Sequence, residues 1–215
     1  MPGIYSQVVA ALKDNQPFAL AIITATKGSS PQKQGAKALF FADGRVLGTL
    51  GGGCLEAEVH RRALDSLKTG SAVTFEFALD QNFGWDDGLI CGGKVLGVIL
   101  PNAQKAGEDF WTELAARRTV ISWGVQSDFS IAPAGSTTQQ RDDATGHAWR
   151  YRETVSPPCA LWIAGSGHIA QAVAPLALQL DFAVTVFDDR PELANPTFFP
   201  GEIAIKVSNW GDLCS

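Results

Sequence analysis

The sequence predicts an α/β protein in two parts: an N-terminal mixed α/β domain with its linker over residues 1–156, then an incomplete Rossmann-like βαβ unit over residues 157–215. Three observations predict it. Apolar strand runs up to residue 100 are interrupted by one strong helical period. A polar stretch, 133–147, leads to Pro157-Pro158, which disfavours helix and marks a boundary near residue 157. Beyond it the order is strand, glycine-rich turn, helix and parallel strand.

The elements follow in order. Ile4, Val8 and Leu12 are spaced for a short amphipathic helix that Asp14-Asn15 can end. Residues 18–23 form a continuous apolar run between Pro17 and a Gly/Ser loop, which predicts a strand buried on both faces. Runs at 38–41 and 46–50 flank Asp43-Gly44, a hairpin signal for a type I′ turn. Leu55, Val59, Leu64 and Leu67 then share a helical stripe, with Glu56 and Glu58 early, Lys68 late and Gly70 as the stop. Val73, Phe75, Phe77 and Leu79 alternate as a half-buried strand, and a Gly/Asp-rich loop over 80–93 leads to a strand at 95–100. A helix is expected over 110–118 and a strand over 119–123. In the second part the strands are 160–164 and 183–187, and the helix between them carries a stripe of Ile169, Ala172, Val173, Leu176 and Leu180. One more strand fits at 202–207. A full doubly wound sheet has about six strands, so the expectation is a C-terminally truncated unit, or one that completes its sheet on a partner.

Composition narrows the function classes. With 46% hydrophobic and 18% charged residues the chain can bury a core, which excludes wholesale disorder. A net charge of −5 disfavours a broad nucleic-acid surface. No secretory signal and no membrane-spanning run is visible, so the expected location is cytoplasmic. The four cysteines, Cys54, Cys91, Cys159 and Cys214, form no CxxC pair and are expected as free thiols, Cys159 and Cys214 as small buried hydrophobes. His60 is assigned to the surface, Asp86-Asp87 to a solvated loop, and the tryptophans to core or interface.

Two constellations could carry chemistry. Gly165-Ser166-Gly167-His168-Ile169-Ala170 fits G-x-G-x-x-G/A between a strand and a helix, with Asp188 some 20 residues on. Gly165 would make the turn, Gly167 would admit a pyrophosphate, His168 could reach a phosphate, and Asp188 could accept from a ribose hydroxyl. The other is the near mirror pair Gly51-Gly52-Gly53-Cys54 and Cys91-Gly92-Gly93, joined by Ser29 and Ser30 in the loop Gly28-Ser29-Ser30-Pro31 with Gly35. Glycine-rich segments let backbone N–H groups converge on an anion. Cys54 would open a helix, where the dipole favours thiolate and hence a nucleophile, sulfur carrier or soft-metal ligand. Cys91 has an equally open backbone but no helix after it.

These motifs resemble the XdhC/CoxI family, the xanthine dehydrogenase accessory factors. The resemblance rests on Gly28-Ser29-Ser30-Pro31 with Gly35-Ala36, on Gly48-Thr49-Leu50-Gly51-Gly52-Gly53-Cys54-Leu55-Glu56, on Cys91-Gly92-Gly93, and on Gly165 to Ala170 with Asp188-Asp189-Arg190-Pro191. It implies a cytoplasmic maturation factor that binds the molybdenum cofactor of molybdopterin type and delivers it to the apo-enzyme of a xanthine dehydrogenase-type molybdenum hydroxylase. It implies a chaperone more than an enzyme, a homodimer, and a cysteine desulfurase as a further partner. The Gly51, Gly52 and Gly53 amides would hold the phosphate, Cys54 and Cys91 would be thiol contacts to the cofactor and its molybdenum, and Gly92 and Gly93 would lie in the same cofactor-binding set. A different class remains open beside it: an NAD(P)-dependent oxidoreductase using Gly165, Gly167 and Asp188. No catalytic acid/base set accompanies that fingerprint, and the two Cys/Gly motifs have no role in it.

Overall fold

The computed structural model describes residues 3–78, 93–135, 149–199, 201–209 and 211. Cys91, Gly92, Asp86, Asp87, Trp85, Trp210 and Cys214 lie outside the described residues, as does Leu79. The chain divides between Ser156 and Pro157 into two compact units.

The first unit runs α1 (Ile4–Lys13), β1 (Phe18–Lys27), β2 (Lys37–Phe41), β3 (Val46–Gly48), α2 (Gly53–Thr69), β4 (Val73–Ala78) and β5 (Lys94–Leu100). A 3-10 turn (Ala103–Ala106), α3 (Glu108–Ala116), β6 (Ile121–Gln126), β7 (Ile131–Pro133) and β8 (Trp149–Val155) complete it. β1 lies at the centre of an antiparallel five-stranded sheet of order β3-β2-β1-β5-β4. Its continuous apolar run is explained by burial on both faces. Ala19, Ala21 and Ile23 pack with Leu55, Val59 and Ala63 of α2. Phe18, Leu20 and Ile22 pack with Val8 of α1, Trp111 of α3, and Trp123 and Tyr151 of a small second sheet, β7-β6-β8. α2 ends as its sequence asks, with Gly70 in the left-handed region at φ +68°.

Several expectations are corrected. The Asp43-Gly44 hairpin is not a type I′ turn: only Gly44 has positive φ (+88°), its N–H donates to the Phe41 carbonyl, and the Phe41 N–H donates to the Arg45 carbonyl. This is a three-residue loop in which a type I turn is followed by a left-handed glycine. β8, which the sequence reading placed in no element, pairs along β6 from Ile121↔Val155 to Gln126↔Trp149. His60 is half-buried, its ring stacked on Phe40 at 5.5 Å. Cys159 is exposed, because it precedes a strand at the edge of its sheet.

The second unit is β9 (Ala160–Ala164), α4 (His168–Gln179), β10 (Ala183–Asp188) and β11 (Ala204–Val207), a parallel sheet of order β11-β10-β9. α4 turns Ala170, Ala174 and Ala177 onto Val184, Val186 and Ile203. The face formed by large residues is the opposite one: Ile169, Leu176 and Leu180 are 82%, 58% and 73% exposed. Small side chains let helix and sheet approach closely, and this geometry overrides the larger but outward stripe. Among the described residues, no helix is long and apolar enough to cross a membrane.

Candidate functional site

Strand pairing brings the first constellation together. Lys27 at the end of β1 pairs with Lys94 at the start of β5, which sets the loop after β1 beside Gly93. Gly93 is buried against that loop: a Cβ there would lie 1.9 Å from the Ser29 carbonyl oxygen and 2.9 Å from that of Lys27. Gly51 closes on the same loop from the other side. Its Cβ would fall 2.7 Å from Pro31 Cγ, and its φ of +113° is one that side chains resist. Ser29, Pro31, Gly51 and Gly93, drawn from three distant segments, therefore form one continuous wall.

The wall ends at the N-terminus of α2. Gly52 precedes the helix at φ +74° without a side-chain cap, so the first-turn amides have no protein partner from that position. Gly53 opens the helix, and a Cβ there would meet nothing within 4 Å. Cys54, in the same turn, is a half-buried free thiol. Thr49 Oγ1 accepts the Gly51 N–H at 3.0 Å, and Glu56 reaches back so that Oε1 accepts the Leu50 N–H at 3.3 Å. The Leu50 and Gly51 amides are thus taken, while the helix beyond Gly52 has no side-chain cap. Ser29 is exposed; Ser30 is half-buried, and its hydroxyl oxygen is buried with no partner among the described residues. Among those residues no three His, Cys, Asp or Glu side chains converge as a metal set. Cys91 and Gly92 fall outside the described residues, and the structure places only Gly93 of that motif.

Behind the loop lies a cluster that sequence reasoning missed. Glu153 of β8 receives four donors: Trp123 Nε1 at 2.8 Å and the Tyr5 hydroxyl on Oε1, Lys37 Nζ at 2.6 Å and the Tyr151 hydroxyl at 2.5 Å on Oε2. Lys37 lies over the rings of Tyr5, Trp123 and Tyr151 at 5.6–5.8 Å and also donates to the Gly35 carbonyl at 2.8 Å. Burial pushes the Lys37 ammonium down to about 7 and the Glu153 carboxyl up to about 8. It also pushes the Tyr151 hydroxyl upward. The only available signal was compositional: both tyrosines of the chain converge here.

A separate cleft of about 480 Å³ lies at the far end of β5, lined by Ser71, Leu100, Asn102, Lys105 and Ser130 among others. None of the sequence-predicted site residues borders it. Its chemistry is that of an open, mixed surface groove.

In the second unit, Gly165 turns at φ +98° and donates its N–H to the Phe187 carbonyl at 2.7 Å, with open space where a Cβ would be. Gly167 has extended backbone and precedes α4, and His168 is the exposed first residue of that helix. Asp188 is fully buried. Its Oδ2 accepts from Ser166 N and Oγ, both at 2.6 Å, and from Arg190 at 3.0 Å; its Oδ1 accepts from Arg190 N at 3.0 Å and Nε at 2.9 Å. The Arg190 guanidinium, with the Ser166 donors, holds the carboxyl far below the usual carboxylate range. Any ribose hydroxyl would have to compete with these donors.

A mixed α/β unit carrying a glycine-walled loop cluster, in one chain with a Rossmann-type βαβ unit, defines a class of two-part α/β proteins. The chain belongs to the XdhC and CoxI family. The XdhC and CoxI family model matches residues 11–78, and the XdhC Rossmann domain model matches residues 161–208. A Bacillus subtilis (strain 168) protein, named as a probable subunit of xanthine dehydrogenase, is 26% identical, over 93% of this chain and 68% of its own length. An uncharacterized Escherichia coli (strain K12) protein, YqeB, is 25% identical over 92% of this chain but only 27% of its own length. The crystal structure of a xanthine dehydrogenase from Bacillus halodurans shares the fold, with a TM-score of 0.76 over 97% of this chain and 69% of that chain at 22% identity.

Proposed function

We propose that this chain is an accessory factor for a xanthine dehydrogenase-type molybdenum hydroxylase, and that its cargo is the molybdenum cofactor of molybdopterin type. Family membership and the B. subtilis relative support the accessory role. The observation that carries the cargo reading is the convergence of Ser29, Pro31, Gly51 and Gly93 beside the uncapped first turn of α2 and the thiol of Cys54. The cargo presents a phosphate and sulfur ligands around a soft metal. Open-backbone amides suit the phosphate, and a thiol suits the metal. Glu56 already occupies the Leu50 amide and Thr49 the Gly51 amide, so the phosphate falls to the amides of Gly52, Gly53 and Cys54. On this reading the receiving partner is the hydroxylase apo-enzyme, a cysteine desulfurase supplies the sulfur, and the factor works as a homodimer in the cytoplasm.

The test is cofactor retention. Anaerobic protein is incubated with released molybdenum cofactor, free ligand is removed by rapid filtration, and retained pterin is read by fluorescence after oxidation. Stoichiometric retention, lost in Cys54→Ala and in Gly93→Ala, is the expected result; the alanine at 93 must displace the Ser29 backbone and open the wall. No retention by the folded wild-type chain overturns the cargo reading. Displacement by NADPH would instead favour the oxidoreductase reading through Gly165 and Gly167, around which a ligand has room.

A further inference from the structure

The loop that walls the candidate site begins at Gly28 and returns to the sheet at Ala36. Its far end is fastened by backbone bonds, Gly35 N–H to the Ile23 carbonyl at 2.8 Å and Ile23 N–H to the Ala36 carbonyl at 2.9 Å. Those bonds hold the chain to β1 but leave the Gly35 carbonyl to be satisfied elsewhere. It is satisfied by Lys37 Nζ, which is only 6% exposed at its side chain and is itself gripped by Glu153. The groups facing this amine come from every neighbouring element: Tyr5 from α1, Trp123 from β6, and Tyr151 and Glu153 from β8. Gly35 is also sterically locked, since its φ is +93° and a Cβ would press within 3.1 Å of the Tyr151 hydroxyl. A core that wanted stability alone would fill this position with an apolar residue, because a buried ion pair seldom stabilises more than its hydrophobic replacement. What the amine supplies is a donor aimed at the loop.

We propose that Lys37, oriented by Glu153, is the positioning residue of the candidate site: it pins Gly35 and so holds Ser29 and Pro31 in place against Gly93 and Gly51. The proposal deepens the cargo reading and rests on it for its functional consequence. The pin couples the small sheet, through β8, to the site wall, so changes at β8 are felt at the ligand without touching it.

The test uses the full chain and the double variant Lys37→Met/Glu153→Gln, which keeps volume and leaves no stranded charge. Amide hydrogen exchange of residues 28–36 should accelerate by about tenfold, the loss of one net hydrogen bond, while β1 and β5 keep wild-type protection. Lys37→Arg retains the donors and should keep the loop protected. Pterin retention should fall with loop protection in the double variant and recover in Lys37→Arg. Unchanged loop exchange in the double variant, acceleration spread evenly over the unit, or equal loss in Lys37→Arg would each overturn the proposal. Should the double variant not fold, Lys37→Met alone removes the donor to the Gly35 carbonyl and must accelerate exchange of residues 28–36 selectively; unchanged or evenly spread exchange there overturns the proposal. If wild-type protein retains no pterin, the cargo reading fails while the exchange result still decides the role of Lys37.

Discussion

Glu153 concentrates four donors on one carboxylate in a site where the ordinary protonation states are disfavoured. Burial moves its carboxyl from 4.5 up to about 8 and the Lys37 ammonium from 10.5 down to about 7. Between pH 4.5 and 8 the folded chain keeps a proton on Glu153 that the unfolded chain has released, so stability falls as pH rises. Between pH 7 and 10.5 the unfolded chain keeps a proton on Lys37 that the folded chain lacks, so stability rises with pH. The two trends oppose each other, so the contribution of the pair is least favourable where they meet, near neutral to mildly basic pH. Urea midpoints across pH should therefore pass through a shallow minimum there, absent from Lys37→Met/Glu153→Gln; parallel curves for the two proteins would refute the assignment. Lys37→Met alone, which takes the donor from the Gly35 carbonyl and one of four donors from Glu153, should cost about 1–3 kcal/mol. Beyond the chain's having two tyrosines, none of this was legible in the sequence: Tyr5, Lys37, Trp123, Tyr151 and Glu153 come from four elements far apart in the chain. The glycines and Cys54 were legible as candidates because a glycine run before a helical period is a local pattern.

Element types followed local periodicity closely. Leu55, Val59 and Gly70 announced α2, and the apolar run in β1 announced a strand covered on both sides. α4 shows where periodicity stops being enough, because it carries two apolar faces and the alanine face goes to the sheet. Ala174→Leu should therefore overpack that contact and cost about 1–3 kcal/mol. Leu176→Gln, on the exposed face, should change stability by no more than about 0.5 kcal/mol. Denaturant midpoints decide the point, and a reversed order would mean that the large stripe is the buried one. β8 carries no strand signal in the sequence, because Tyr151 is its one buried residue and leaves too little alternation to read.

Across the whole molecule, stability should be distributed as burial is. β1 has six successive buried residues, Phe18 to Ile23, and a hydrogen-bonded strand on either side. β9 and β11 are edge strands, each with exposed residues along its length. Native-state amide exchange should accordingly be slowest in β1 and several orders faster in β9 and β11; slowest exchange in the parallel sheet would contradict this account. The sequence by itself determined the α/β class, most element types, the glycine turns and the family resemblance, since each depends on neighbours within a few residues. Tertiary structure decided the rest: that Gly93 meets Ser29 and Gly51 meets Pro31, that Lys37 pins Gly35, and that Asp188 is consumed by Ser166 and Arg190. The reason is physical. Helical and strand periods are written in the local chain, whereas the meeting of distant loops depends on strand pairing and register, set by the packing of the whole core.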